Sequence, residues 1–253
     1  MNKMIFLDID GTLLRDDGTY NKKIKGVIEE LKKRNSYVVL TSARSRLKME
    51  KIINELGIDT YYISSNGSEI INIKTNNIVY SSYINYKSLI YIYSLAMKFN
   101  IELVLAIDDT EYIINNKNKL DKNSLRKLKV KQIMMLSEDL KQLNKFIKKI
   151  GVLDNIEFVY NLNINEKGKY WFSVVNKGVS KGNASLILSE YCNIKKEDTI
   201  GIGNDYNDIS MFNMLGIGVI VDNAINEVKK YASLIIDSNN NDGVYKYLKD
   251  FLK

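Results

Sequence analysis

Four apolar residues in unbroken succession, Met4-Ile5-Phe6-Leu7, run straight into Asp8-Ile9-Asp10-Gly11-Thr12. An apolar run without alternation reads as a strand buried on both faces. Asp8 and Asp10 are two residues apart, so at the end of such a strand both can point to one side. Side by side they repel, and one pKa rises unless a cation sits between them. Such a pair can bind a divalent metal, or it can divide the work between a nucleophile and a proton carrier. Gly11 lets the chain turn sharply and brings a ligand against bare backbone. Thr12 can cap the turn or donate a hydrogen bond. A plain strand followed by an Asp-rich turn would look the same, so the rest of the chain has to decide.

The rest of the chain alternates. Ile24, Val27, Ile28 and Leu31 stand at i, i+3, i+4 and i+7, one face of a helix. Residues 37–40 form a second apolar strand, ending in Thr41-Ser42-Ala43-Arg44. A helix is predicted over 45–56, and a third strand over 61–63 ends in Ser64-Ser65-Asn66-Gly67. Strand, helix, strand, helix, strand implies a parallel sheet wound with helices. The rhythm then breaks. Residues 69–73 and 78–81 read as a hairpin, and residues 83–176 mix strands with helices as an inserted α+β unit. From Ser180 the first rhythm returns, with a helix to about residue 193 and a strand over 199–202. That strand runs into Gly203-Asn204-Asp205-Tyr206-Asn207-Asp208. A strand over 217–221, a helix over 224–231 and a C-terminal helix follow. The expected architecture is an α/β, Rossmann-like core of residues 1–82 and 177–253, carrying an α+β insertion at 83–176.

The 253 residues include no histidine. This excludes a Ser-His-Asp triad, a Cys-His dyad and histidine-ligated zinc. Acid–base work near neutral pH falls to carboxylates, Lys, Tyr or Cys192, and any metal site would be rich in oxygen, which favours magnesium. The single Cys192 cannot form an internal disulfide, which suits a reducing cytoplasm, and it reads as a small buried apolar residue. No apolar run reaches membrane-spanning length and no leader segment is evident, so a cytoplasmic protein with no membrane partner is expected. The net charge of +7 is scattered along helices. No basic stripe with interleaved aromatics appears, which argues against a nucleic-acid partner. Trp171 and the tyrosines of the insertion read as core.

Four polar clusters follow predicted strands or open a helix: Asp8-Asp10-Thr12, Thr41-Ser42, Lys181, and Asn204-Asp205-Asp208. Open α/β sheets bind ligands beyond the carboxyl ends of their strands. The inventory comprises a nucleophile with a second carboxylate, hydroxyl donors, a fixed cation and further oxygen ligands. It suits phosphoryl transfer, where the protein positions the phosphate and offsets its charge.

Five segments carry a family resemblance. They are Asp8-Ile9-Asp10-Gly11-Thr12, Thr41-Ser42-Ala43-Arg44, Ser64-Ser65-Asn66-Gly67, Gly178-Val179-Ser180-Lys181-Gly182 and Asn207-Asp208-Ile209-Ser210-Met211. In this order, and across nearly the whole chain, they resemble the haloacid dehalogenase superfamily. Within it the chain most resembles the Cof-type, sugar-phosphatase-like group with a C2-type cap.

The resemblance implies that Asp8 attacks phosphorus and becomes an aspartyl-phosphate. It implies that Asp10 protonates the leaving oxygen and then activates water. Thr41 and backbone amides near Ser42 would bind the phosphate, with Lys181 holding phosphate and nucleophile together. Mg2+ would be held by Asp8, the Asp10 carbonyl and an acid of the last motif. Arg44, Asn66, Gly67 and Asn207 are candidates for substrate contact. The partner would be a small phosphorylated metabolite, with sugar phosphates favoured by the resemblance, and the protein a monomer or small homo-oligomer.

One departure bears on the metal. The family's last motif reads Gly-Asp, with a second Asp four residues after the first. Here Gly203 is followed by Asn204, and Asp205 comes one place late. Either Asn204 ligates through its carbonyl oxygen without adding charge, or Asp205 reaches in with Asp208 behind it. A phosphomutase of the same superfamily and a non-catalytic phospholigand-binding protein are the competing functions. A signalling receiver domain fits neither the insertion nor the terminal Asn-Asp cluster.

Overall fold

The first apolar run is β1 (Met4–Leu7), and every residue of it is buried. The computed structural model that shows this describes residues 3–164 and 168–253. α1 (Ile24–Lys33) buries Ile24, Val27, Ile28 and Leu31, the stripe its sequence sets out. β2 (Tyr37–Thr41), α2 (Arg46–Leu56) and β3 (Tyr61–Ser64) continue the alternation. β4 (Glu69–Asn72) and β5 (Asn77–Ser81) form the expected hairpin, and β4 pairs antiparallel with β3, so the hairpin extends the same sheet.

The insertion follows as α3 (Tyr86–Lys98), β6 (Glu102–Ala106), β7 (Glu111–Ile114) and α4 (Lys122–Lys127). It continues with β8 (Gln132–Ser137), α5 (Leu140–Ile150), β9 (Ile156–Ile164) and β10 (Tyr170–Asn176). Among the described residues its strands form a separate, five-stranded antiparallel sheet in the order β7-β6-β8-β10-β9. α3 and α5 cover one face of it, where Leu103, Leu105, Ile133, Met135, Phe172 and Val174 join the helices in one apolar cluster. Strict alternation along β6 and β8 leaves the other face turned away from that core.

The chain then returns through α6 (Lys181–Tyr191), β11 (Thr199–Gly203), α7 (Ile209–Met214) and β12 (Ile217–Val221). It ends with α8 (Asn226–Lys229), β13 (Leu234–Ile236) and α9 (Gly243–Phe251). α8 is shorter than the helix predicted over 224–231. Ala224 and Ile225 lie before it, with Ile225 extended at its N-cap. Among the described residues the first sheet has eight strands in the order β13-β12-β11-β1-β2-β3-β4-β5, parallel from β13 to β3. The expected α/β class, a wound parallel sheet, is what the chain adopts. Among the described residues no helix is long and apolar enough to cross a membrane.

Where the insertion meets the first sheet, Lys131 is buried against Glu69, which is itself wholly buried. Lys131 also reaches the exposed Asp108 at 3.0 Å. Ser68 donates to the Lys131 carbonyl at 2.9 Å, and Asn176 to the Ser82 hydroxyl at 3.0 Å. The sequence gives no hint of this junction, because its partners lie far apart along the chain. Removing one member of a buried ion pair leaves an uncompensated charge, whereas replacing both with apolar residues is often close to neutral. Lys131→Met is therefore expected to cost about 3–5 kcal/mol in urea unfolding, and Lys131→Met with Glu69→Leu distinctly less. Equal losses in the single and double variants would contradict this.

Candidate active site

β1 is the point where the winding of the sheet reverses, with β2 on one side and β11 on the other. At such a point the outgoing loops separate and leave a crevice beyond the carboxyl ends. Asp8 stands one residue past β1, Thr41 ends β2, and Asn204 stands one residue past β11.

Asp8 is 4% exposed, and both its oxygens are engaged. Oδ1 accepts from Lys181 Nζ at 2.6 Å, and Oδ2 from the Thr12 hydroxyl at 2.8 Å. Lys181, 1% exposed, also donates to Asp208 Oδ1 at 2.6 Å. Two buried carboxylates therefore share one ammonium. Lys181 is placed there by the start of α6, where the Ser180 hydroxyl caps the helix by accepting from the Asn183 amide at 3.1 Å. Burial and the charge of Asp208 push the Asp8 carboxyl up to about 7, against the opposing pull of Lys181 and Thr12. Burial works to strip Lys181 of its proton, but the charges of Asp208 and Asp8 outweigh it and hold the pKa above its ordinary value.

Asp208 turns inward. Its Oδ2 accepts from the amides of Asn204 at 2.9 Å and Asp205 at 3.1 Å, closing the loop on itself. Asp205 caps the same turn, accepting from the Tyr206 amide at 2.7 Å, and burial raises its pKa. Asn204 faces the other way. Its Oδ1 accepts from the Thr12 hydroxyl at 3.0 Å, the same hydroxyl that reaches Asp8. Of the three candidate ligands in this loop, Asn204 shares the Thr12 hydroxyl with Asp8, and Asp208 shares the Lys181 ammonium with it. Gly11, at φ 73°, lies so close beneath the Asn204 amide that a Cβ there would collide with it.

Asp10 departs from the expectation that both acids point to one side. Its side chain is 60% exposed and is gripped by Arg44, Nε to Oδ2 at 2.9 Å and Nη2 to Oδ1 at 2.7 Å. A two-pronged guanidinium–carboxylate pair is geometrically specific and holds the acid away from the floor of the crevice. Thr41 is buried, and its hydroxyl lies a long 3.4 Å from the Val39 carbonyl. The Ser42 amide is not a spare donor, since it bonds the Ile63 carbonyl at 3.0 Å. The Ser42 hydroxyl accepts from the Arg44 amide at 3.1 Å.

Asn66, at φ 56°, ties three segments together. Its amide donates to the Ser42 carbonyl at 3.0 Å. Its side chain accepts from Asn207 Nδ2 at 2.9 Å and donates to Gln132 of β8 at 3.3 Å. Gly67, at φ 99°, packs against the Ser180 carbonyl with no room for a Cβ. These three residues, candidates for substrate contact, brace the loops around Lys181. The sequence reading missed Glu111 of β7, which accepts from Ser45 at 2.6 Å and Lys48 at 2.9 Å across the mouth of the crevice. No local pattern links residue 111 to residue 45.

Among the described residues, no three Asp, Glu or Cys side chains gather closely enough to hold a metal ion. Asp8 Oδ2 and Asn204 Oδ1 both face the Thr12 hydroxyl, at 2.8 Å and 3.0 Å from its Oγ1. One carboxylate and one amide oxygen, with no nitrogen or sulfur, suit a hard cation such as Mg2+. The Asp8–Lys181–Asp208 group, with two carboxylates for one ammonium, has negative charge left for such an ion to offset.

This fold and loop arrangement is that of a known family. The chain belongs to the haloacid dehalogenase-like hydrolases, whose sequence pattern matches residues 5–248. It is 24% identical over 251 residues to a Bacillus subtilis 5-amino-6-(5-phospho-D-ribitylamino)uracil phosphatase, covering 99% of this chain and 96% of the relative. A haloacid dehalogenase-like hydrolase from Bacteroides thetaiotaomicron superposes with a TM-score of 0.81 at 23% identity, covering 99% of this chain and 100% of the other. A subclass IIB sugar phosphatase superposes with a TM-score of 0.80 at 20% identity, covering 98% of both chains. At these identities the superpositions speak for the fold.

The raised Asp8 pKa makes stability depend on pH. Between the ordinary 3.8 and about 7 the folded state holds the Asp8 proton more tightly than the unfolded state does. Asp8 therefore contributes stability that is fully present below the lower value and is lost as pH rises through the upper one. In metal-free protein, Asp8→Asn is expected to gain stability over the parent as pH climbs from 4 to 8, read by urea unfolding at each pH. A constant difference across that range would contradict the assignment.

Proposed function

We propose that the chain is a magnesium-dependent phosphatase that hydrolyses small phosphorylated metabolites, sugar phosphates among them, through an aspartyl-phosphate on Asp8. The observation that carries the reading is the Lys181 ammonium, 2.6 Å from a buried Asp8 oxygen at the switch point of the sheet. A carboxylate nucleophile and a phosphate dianion repel, and a fixed cation beside both lowers that cost. Names of relatives and neighbours in the family support the phosphatase class.

An Asp8 oxygen forms a bond to phosphorus while the bond from phosphorus to the ester oxygen breaks. Asp10 gives its proton to that departing oxygen. Asp10, now a carboxylate, takes a proton from water, whose oxygen attacks phosphorus and frees Asp8 and phosphate. To do this the Asp10 side chain has to leave the Arg44 fork, a swing that an exposed side chain can make. Thr41 supplies a hydroxyl to the phosphate, and Lys181 moves from sharing two carboxylates to holding Asp8 and phosphate together. Mg2+, held by Asp8, Asn204 and the Asp10 carbonyl, would supply positive charge against the phosphate oxygens. Asp205 and Asp208 shape the loop that presents Asn204. The inserted unit of residues 83–176 acts as a cap on the core of residues 1–82 and 177–253, excluding water while Asp8 attacks.

Phosphate release from a panel of phosphorylated metabolites is expected with Mg2+, and to stop with a chelator. Asp8→Asn is expected to lower it by roughly 10³-fold or more. Release unchanged in Asp8→Asn would defeat the proposal. Because ligand charge sets the affinity of oxygen sites, Asn204→Asp is expected to lower the half-saturating Mg2+ concentration about tenfold. No change in Asn204→Asp, with a shift in Asp205→Asn instead, would move the ligand to Asp205.

A further inference from the structure

A cleft of about 170 Å³ lies between the inserted sheet and the mouth of the crevice. Asp10 and Arg44 bound it on one side, and Val104, Ala106, Met134 and Trp171 on the other. Strand register explains why those four share a face. Val104 pairs with Met134, Ala106 with Gln132, and Trp171 with Leu136, next but one to Met134 along β8. Their neighbours Leu103, Leu105, Ile133 and Met135 face the opposite way, into the core of the insertion. Trp171, read from the sequence as core, is instead half-buried on the open face.

The polar groups at the rim are already paired with one another. Arg44 holds Asp10, Ser45 and Lys48 hold Glu111, and Gln132 accepts from Asn66. Val104, Ala106 and Met134 offer no hydrogen-bond partner on the face they share with Trp171, so a polyol seated against them would lose water from hydroxyls left unpaired, which costs affinity for each one. A flat ring needs no such partners. An apolar cavity of about 150 Å³ holds one benzene ring, so the cleft has room for a single six-membered ring. Trp171 offers an aromatic surface, and the Arg44 guanidinium is a planar cation of the kind that stacks on such rings.

We propose that this cleft selects leaving groups that carry a flat, weakly polar ring seated against Trp171, in preference to bare polyols. The proposal rests on the phosphatase reading and sharpens it, because the cleft begins at Asp10, the group assigned to the leaving oxygen.

Benzyl phosphate and glucose 6-phosphate test it, since both are phosphates of a primary alcohol and differ mainly in the ring they carry. The expected result is a kcat/KM about tenfold higher for benzyl phosphate, the size of effect that one well-placed aromatic contact gives. Trp171→Ala is expected to remove most of that preference by slowing benzyl phosphate alone, and Trp171→Phe to keep it. Equal rates in the parent protein, a preference for glucose 6-phosphate, or a loss in Trp171→Ala shared by both esters would overturn the proposal. Trp171 is the only tryptophan, so fluorescence of the Asp8→Asn protein reads binding without turnover. Quenching by benzyl phosphate at concentrations where glucose 6-phosphate has no effect is expected, and equal responses would again overturn it. If neither ester is hydrolysed, the phosphatase reading fails, and the fluorescence comparison still decides on the ring.

Discussion

The site depends on one buried ammonium. Lys181 stands between Asp8 and Asp208, 2.6 Å from an oxygen of each. Without it, two carboxylates would face each other in the interior, where like charges and desolvation together drive at least one to take up a proton. The same cation also sets geometry. Asp208 can spend its second oxygen on the amides of Asn204 and Asp205 because its first is held by Lys181. The charge of Asp8 and the shape of the 204–208 loop therefore hang on a single side chain.

The fold makes that contact possible by seating α6 firmly. The Ser180 carbonyl lies against Gly67, and the Gly182 amide donates to the Ser210 hydroxyl at 3.0 Å. Both approaches need a residue without a side chain. Asn66 and Asn207 lock the neighbouring loops together at 2.9 Å, and Gln132 extends that lock into the inserted sheet. The insertion is thus tied to the walls of the crevice as well as standing over it. In the proposed reaction its apolar face and the charged floor beneath divide the ligand between them, the carbon part on one and the phosphate on the other.

Much of this was legible in the sequence because it is written locally. An unalternating run before Asp8, a Ser before Lys181, and Gly203 ahead of an Asn-Asp cluster each place a group at the end of an element. The wound sheet and the inserted block follow from where the alternation holds and where it breaks. What escaped depends on how distant segments meet. Asp10 shares a sequence motif with Asp8, yet Arg44, 34 residues away, decides where it points. Asp208 closes the loop by accepting from the amides of both Asn204 and Asp205, a contact no local pattern announces. Lys131 and Glu69 look like surface residues until two sheets close over them. Trp171 looked like core because alternation identifies the two faces of a strand without saying which face is covered.

The central claim is that Lys181 lets Asp8 become covalently phosphorylated. The direct measurement is rapid acid quench during turnover of a phosphate-labelled substrate, followed by mapping of the labelled peptide. The account predicts label on Asp8 in the parent protein and its loss in Lys181→Met, with the protein still folded. Label on another residue, or undiminished label on Asp8 in Lys181→Met, would contradict it.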